Sequence, residues 1–143
     1  MIRLFRKKKE VTPDDVTRQF IRDMIELIEM ISGKIMRSTR KEEIEVELNM
    51  MRELASKGSL DMLRLLGLTF LDQSKEWYDY SEGFGYLNSA AEKGMVEAQY
   101  DLGLLYYHGA PEANPDPVMG HFWMVKSADG NYEPAVEFLN SRR

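Results

Sequence analysis

Apolar residues recur every three or four positions along most of the chain, and the pattern breaks at glycine, proline and asparagine. That period is the helical one. From residue 11 to 38, Val16, Phe20, Met24, Leu27, Ile31 and Ile35 form one stripe, which Ile21, Ile25 and Ile28 widen to nearly half the circumference. Thr12, Pro13, Asp14 and Asp15 stand at its head. A hydroxyl N-cap, a proline with no N–H to lose and carboxylates near the positive helix end make a start signal, so one long helix is predicted. Thr39 with Glu42 reads as a capping box opening a second helix to about Lys57, with Ile44, Leu48, Met51 and Ala55 facing inward.

Further along, "AAEKGMVEAQYDLGLLYYHG" (90–109) keeps the helical period but carries Gly94, Gly103 and Gly109. An internal glycine costs a helix about 1 kcal/mol relative to alanine, so these three need a reason. A repeat supplies it. Shifted by 36 residues, "LASKGSLDMLRLLGLTF" (54–70) falls on "AAEKGMVEAQYDLGLLY" (90–106), laying Gly58 on Gly94 and Gly67 on Gly103. Shifted by 37, "WMVKSADGNYEPAVEFLN" (123–140) falls without a gap on residues 86–103, and Asn131 takes the place of Gly94. Asparagine is the residue after glycine that best tolerates the left-handed backbone ending helices, so Gly94 and Asn131 read as helix stops. Gly103 lies in mid-helix, where the lack of a side chain lets a neighbouring helix cross closely, and Gly109 ends its helix before "APEANPDP". A phosphate loop would need clustered glycines after a strand, followed by lysine and a hydroxyl; no strand is indicated here.

A period of 36 or 37 with two helices per unit resembles the Sel-one-like repeat, a relative of the tetratricopeptide repeat. Ala90, Ala91, Gly94, Ala98, Leu102, Gly103, Tyr106 and Gly109 meet that family's pattern, and Trp123, Lys126 and Ala128 add to it. Asp79-Tyr80 and Asp116 fall where an aspartate opens the second helix. The departures are Gly83 and Gly120 in place of alanine, Met62 in place of the alanine seen at Ala98, and Gln73 in place of a glycine. The resemblance covers about residues 50–143 and implies an all-α protein, a short α/α solenoid of antiparallel helix pairs. About seven helices are expected, with a long N-terminal capping helix and each unit's first helix on the concave side. The chain then divides into a basic tip (1–10), an N-terminal cap or degenerate repeat (11–57) and the repeats (58–143).

Composition narrows the chemistry. With 143 residues, 43% apolar and 30% charged, the chain can bury a core. No run reaches the roughly 18–20 apolar residues of a membrane span, "MIRLFRKKKE" lacks a signal-length apolar stretch, and there is no cysteine, so a cytoplasmic location is expected. Residues 1–10 carry +4, leaving −9 for the rest of a chain whose total is −5. An acidic body argues against nucleic acid, which needs a clustered basic surface. The tip has two readings: a disordered terminus, or membrane contact through residues 1–9, where Ile2, Leu4 and Phe5 sit among five cations. His108 and His121 read as a helix-end and a surface histidine, and no catalytic, metal-binding or cofactor-binding grouping is proposed.

The candidate site is a strip. With Leu66, Phe70, Leu102 and Tyr106 taken as core, Tyr100, Leu104 and Tyr107 point elsewhere at i, i+4, i+7. Their counterparts 36 residues earlier are Arg64, Leu68 and Leu71, and Asp101 and His108 adjoin them. The strip is either a partner surface, with Arg64 and Tyr107 as anchors, or packing between adjacent helices. Trp77, Tyr78 and Tyr80 have the same two readings. As the resemblance implies, the expected function is a non-enzymatic scaffold or adaptor binding another protein. The alternatives are a small inhibitor or immunity protein, or a membrane-recruited regulator. The wide face of the first helix suggests a homodimer or a further partner contact.

Overall fold

The computed structural model describes the backbone from residue 13 to 143 and side chains from Asp15 onward. Thr12 and the basic tip lie outside the described residues. The described residues fall into two compact units, one ending at Arg37 and the other Ser38–Arg143. The described residues contain seven α-helices and one short 3-10 turn, with no β-sheet among them.

In the first unit, α1 (Pro13–Arg37) is a continuous helix of 25 residues with Pro13 in its first turn. Lys34 and Arg37 lie in its last turn, where positive charge complements the helix dipole. Ile31 and Ile35 are buried, whereas Val16, Phe20, Ile21 and Ile25 are about half exposed or more.

The second unit begins differently from the sequence expectation. Instead of a capping box at Thr39, a 3-10 turn at Lys41–Glu43 precedes α2 (Glu45–Ser56), whose N-cap Ile44 makes no side-chain cap. Long-range bonds decide this: Lys75 Nζ donates to the Ser38 carbonyl at 2.8 Å, and the Lys41 N–H donates to Glu76 Oε2 at 3.0 Å. Holding residues 38–41 this way brings Ile44 fully into the core. The inner face of α2 is as expected, with Leu48, Met51 and Ala55 buried.

The remaining helices are α3 (Leu60–Phe70), α4 (Tyr80–Glu92), α5 (Val96–His108), α6 (Pro117–Asp129) and α7 (Glu133–Asn140). Each packs on the next in sequence, as in a helical solenoid. The turn after α2 carries Gly58 at φ +97°, the turn after α4 carries Gly94 at +91° and the turn after α6 carries Asn131 at +61°. All three are the stops that the repeat alignment places in register. Aspartates open the second helices: Asp79 Oδ1 accepts from the Glu82 N–H at 2.9 Å and Asp116 Oδ1 from the Met119 N–H at 3.0 Å. Backbone bonds repeat with them, from Asp79 N to Phe70 O and from Asp116 N to Tyr106 O.

Helix crossings are closed by glycine pairs. A Cβ on Gly67 would stand 3.1 Å from the Gly83 carbonyl oxygen, and one on Gly103 3.2 Å from that of Gly120. Gly83 and Gly120, which depart from the family's alanine, are therefore what permits the close approach of α3 to α4 and of α5 to α6. Met62, another departure, is fully buried with Leu66, Leu87, Leu102 and Met124.

Candidate partner-binding groove

The predicted strip divides into two groups. Leu68 and Leu71 on α3 with Asp101, Leu104 and His108 on α5 line one groove, and Leu87, Leu105 and Gly109 complete it, around a volume of about 270 Å³. Leu68 is 38% exposed, an unusual setting for a leucine beside a closed core. Leu71 reaches the groove over Gly83, where a Cβ would meet its Cγ at 2.7 Å.

Arg64, Tyr100 and Tyr107 instead join neighbouring first helices. Arg64 Nε donates to Asp101 Oδ2 at 2.5 Å, linking α3 to α5 at one end of the groove. Burial opposes the guanidinium charge most strongly, but the bond to Asp101 together with the charge of Asp101 and the nearby Tyr132 and Glu97 holds the Arg64 pKa above its ordinary value. Tyr100 meets Tyr132 edge-on at 5.5 Å between ring centroids. Tyr107 lies 5.1 Å from Phe138 on α7, and the Arg142 guanidinium sits 4.6 Å above the Tyr107 ring. Its ring also covers Gly120, where a Cβ would stand 2.8 Å from Cδ2. Tyr107 and Leu71 thus occupy equivalent places in successive repeats, each seated on a glycine of the second helix.

Leu87 and Leu105 were not in the strip. Leu105 follows Leu104 directly, and Leu87 belongs to a second helix, so a search along one face of the first helices passes over both. Of the aromatic cluster, Trp77 is buried and donates from Nε1 to the Thr69 carbonyl at 3.1 Å, while Tyr80 stacks on Phe84. Tyr78 donates to Glu112 Oε2 at 2.6 Å. Burial, then that bond, push its pKa up to about 12. His108 and His121 are both exposed. No metal-holding group of histidines and carboxylates occurs among the described residues, and no described helix is long and apolar enough to cross a membrane.

Paired helices, left-handed stops at 36- and 37-residue spacing and glycine-closed crossings define the repeating unit. The Sel1 repeat family model matches residues 62–95 and 96–132. The chain is a Sel1-repeat protein. The first matched Sel1 repeat is essentially α3 with α4, the second α5 with α6, and the groove lies where the two meet. Sel1 repeats are generally non-catalytic modules for protein–protein interaction. No curated protein and no solved structure gives a significant match to the chain.

Proposed function

We propose that this Sel1-repeat protein is a cytoplasmic, non-enzymatic scaffold or adaptor that docks a partner protein in the groove between α3 and α5. The observation that carries this reading is the groove itself. Leu66, Phe70 and Leu102 of the same helices are buried in the core, yet Leu68, Leu71, Leu104 and Leu105 leave an apolar depression at the junction of the repeats. Apolar depressions with a few polar groups at the edge are where partner side chains gain most from desolvation. Arg64, paired with Asp101, braces α3 against α5 rather than standing as a free anchor, and Tyr107 packs α5 on α7. A photo-crosslinking residue in place of Leu68 should capture a discrete protein partner in cells, and one in place of Val118, 78% exposed on α6, should not. Equal capture at both positions would overturn the groove as the docking site.

A second reading has its own observation: α1 exposes Phe20 to 64% and Ile21 to 51%, with Val16 and Ile25 beside them. These suit a contact with a second copy or another helix. Sedimentation velocity of the full chain should show a dimer that Phe20→Glu with Ile21→Glu converts to monomer; a wild-type monomer over the whole concentration range rules out the homodimer.

A further inference from the structure

We propose that the occupant of the α3/α5 groove is the apolar edge of a basic amphipathic helix. This inference rests on the docking role given to the groove and names the chemistry that fills it. Two observations select that occupant. The first is the lining: five leucines, Leu68, Leu71, Leu87, Leu104 and Leu105, with Asp101, His108 and Gly109. Asp101 is already committed to Arg64 and His108 stands exposed, so the groove's walls are mainly leucine and recognise branched aliphatic side chains by shape and desolvation.

The second observation is the net charge of the segment that builds it. Residues 60–116, which hold α3, α4, α5 and their turns, contain three cations against ten carboxylates, a net −7 in a chain whose total is −5. Two of the three cations are engaged inside the unit: Arg64 with Asp101, and Lys75 with the Ser38 carbonyl and the Trp77 ring. A leucine-lined groove in an acidic field complements a ligand with aliphatic residues on one edge and lysine or arginine beside them. Helical form follows from the walls. The groove runs between two helices, its α5 side from Asp101 to Gly109 is about 12 Å long at 1.5 Å per residue, and a ridge of side chains at i, i+4 and i+7 fits such a furrow. The described residues offer no sheet edge that an extended peptide could lengthen.

The division of labour is physical. Acidic residues speed encounter and weaken with salt, whereas the leucines slow dissociation and are little affected by it.

The test uses the full chain and three fluorescein-labelled synthetic helices, read by anisotropy. One carries leucines at i, i+4, i+7 and i+11 with lysines elsewhere, one replaces the leucines by alanine, and one replaces the lysines by glutamate. The leucine–lysine helix should bind at least tenfold more tightly than either of the others. Leu68→Glu should weaken it at least tenfold. Val118→Glu, which adds the same charge on an exposed position of α6 outside the groove lining, should leave it within about twofold. Leu104→Ala, which adds no charge, should weaken it as well, and circular dichroism confirms the fold of each variant. Equal binding of the alanine–lysine helix would reduce the effect to diffuse charge and overturn the proposal, as would equal effects of Leu68→Glu and Val118→Glu. If crosslinking at Leu68 captures a discrete partner while these helices bind without selectivity, the docking role stands and this occupant falls.

Discussion

Gly103 and Gly120 face each other across the α5/α6 crossing so closely that a Cβ on either would stand 3.1–3.2 Å from the other's carbonyl oxygen. The same relationship holds one repeat earlier between Gly67 and Gly83, so the crossing is a property of the repeat. Gly103→Leu should cost about 1–3 kcal/mol by overpacking. Gly67→Ala should destabilise more than Gly103→Ala, because its Cβ would lie 2.9 Å from both Cβ and backbone N of Leu87, whereas at Gly103 the nearest atom is the flexible Met124 Cε at 3.1 Å. Gly85 has nothing within 4 Å, and Gly85→Ala should be neutral or gain up to about 1 kcal/mol from helix propensity. Thermal unfolding of the four variants checks the order.

Asn131 holds a left-handed φ of 61° in the place where Gly94 stands one repeat earlier. Asn131→Gly should leave stability within about 0.5 kcal/mol, and Asn131→Ala should cost about 1 kcal/mol, since alanine has neither glycine's freedom nor asparagine's local hydrogen bonding in that conformation. Urea denaturation distinguishes the two; an unchanged midpoint for the alanine variant would contradict the assignment.

Arg64 and Asp101 join successive first helices with side-chain exposures of 32% and 13%. Removing either should destabilise on the order of 1 kcal/mol, and the double alanine variant should cost little more than one single, as a coupled pair requires. A double-mutant cycle with additive losses would show that the pair contributes nothing to holding α3 against α5.

Alkaline stability should reflect Tyr78. Burial and the bond to Glu112 raise its pKa to about 12 from 10.0, and Tyr80 and Tyr106 shift in the same direction. Between those values the folded chain keeps protons that the unfolded chain has lost, so stability falls as pH rises from about 10 toward 12. Below about pH 10 that contribution is fully present. Tyr78→Phe has no proton to lose there and should show a shallower fall in thermal midpoint across that window.

What the sequence determined by itself was local or periodic. The boundaries of α1, the stops at Gly58, Gly94 and Asn131 and the caps at Asp79 and Asp116 follow from backbone conformation and short-range hydrogen bonding, which depend on residues a few positions apart. The repeat alignment then placed the buried Leu66, Phe70 and Leu102 in register. Tertiary structure decided whatever depends on two distant segments meeting. Bonds from Lys75 and Glu76 to residues 38 and 41 replaced a capping box with a 3-10 turn, against a sound local signal at Thr39 and Glu42. Gly83 and Gly120 depart from the repeat pattern, and only the crossing of α3 with α4 and of α5 with α6 gives them a reason. Within the strip, Tyr100, Leu104 and Tyr107 share one helical phase and Asp101 and His108 lie one residue on, and the fold set Leu68, Leu71, Asp101, Leu104 and His108 around one groove while it committed Arg64, Tyr100 and Tyr107 to neighbouring helices. Phase fixes the face of a helix on which a side chain lies. Whether that face stays open depends on what the next helix brings, and here Leu87 of α4 supplied part of the lining and Phe138 of α7 covered Tyr107.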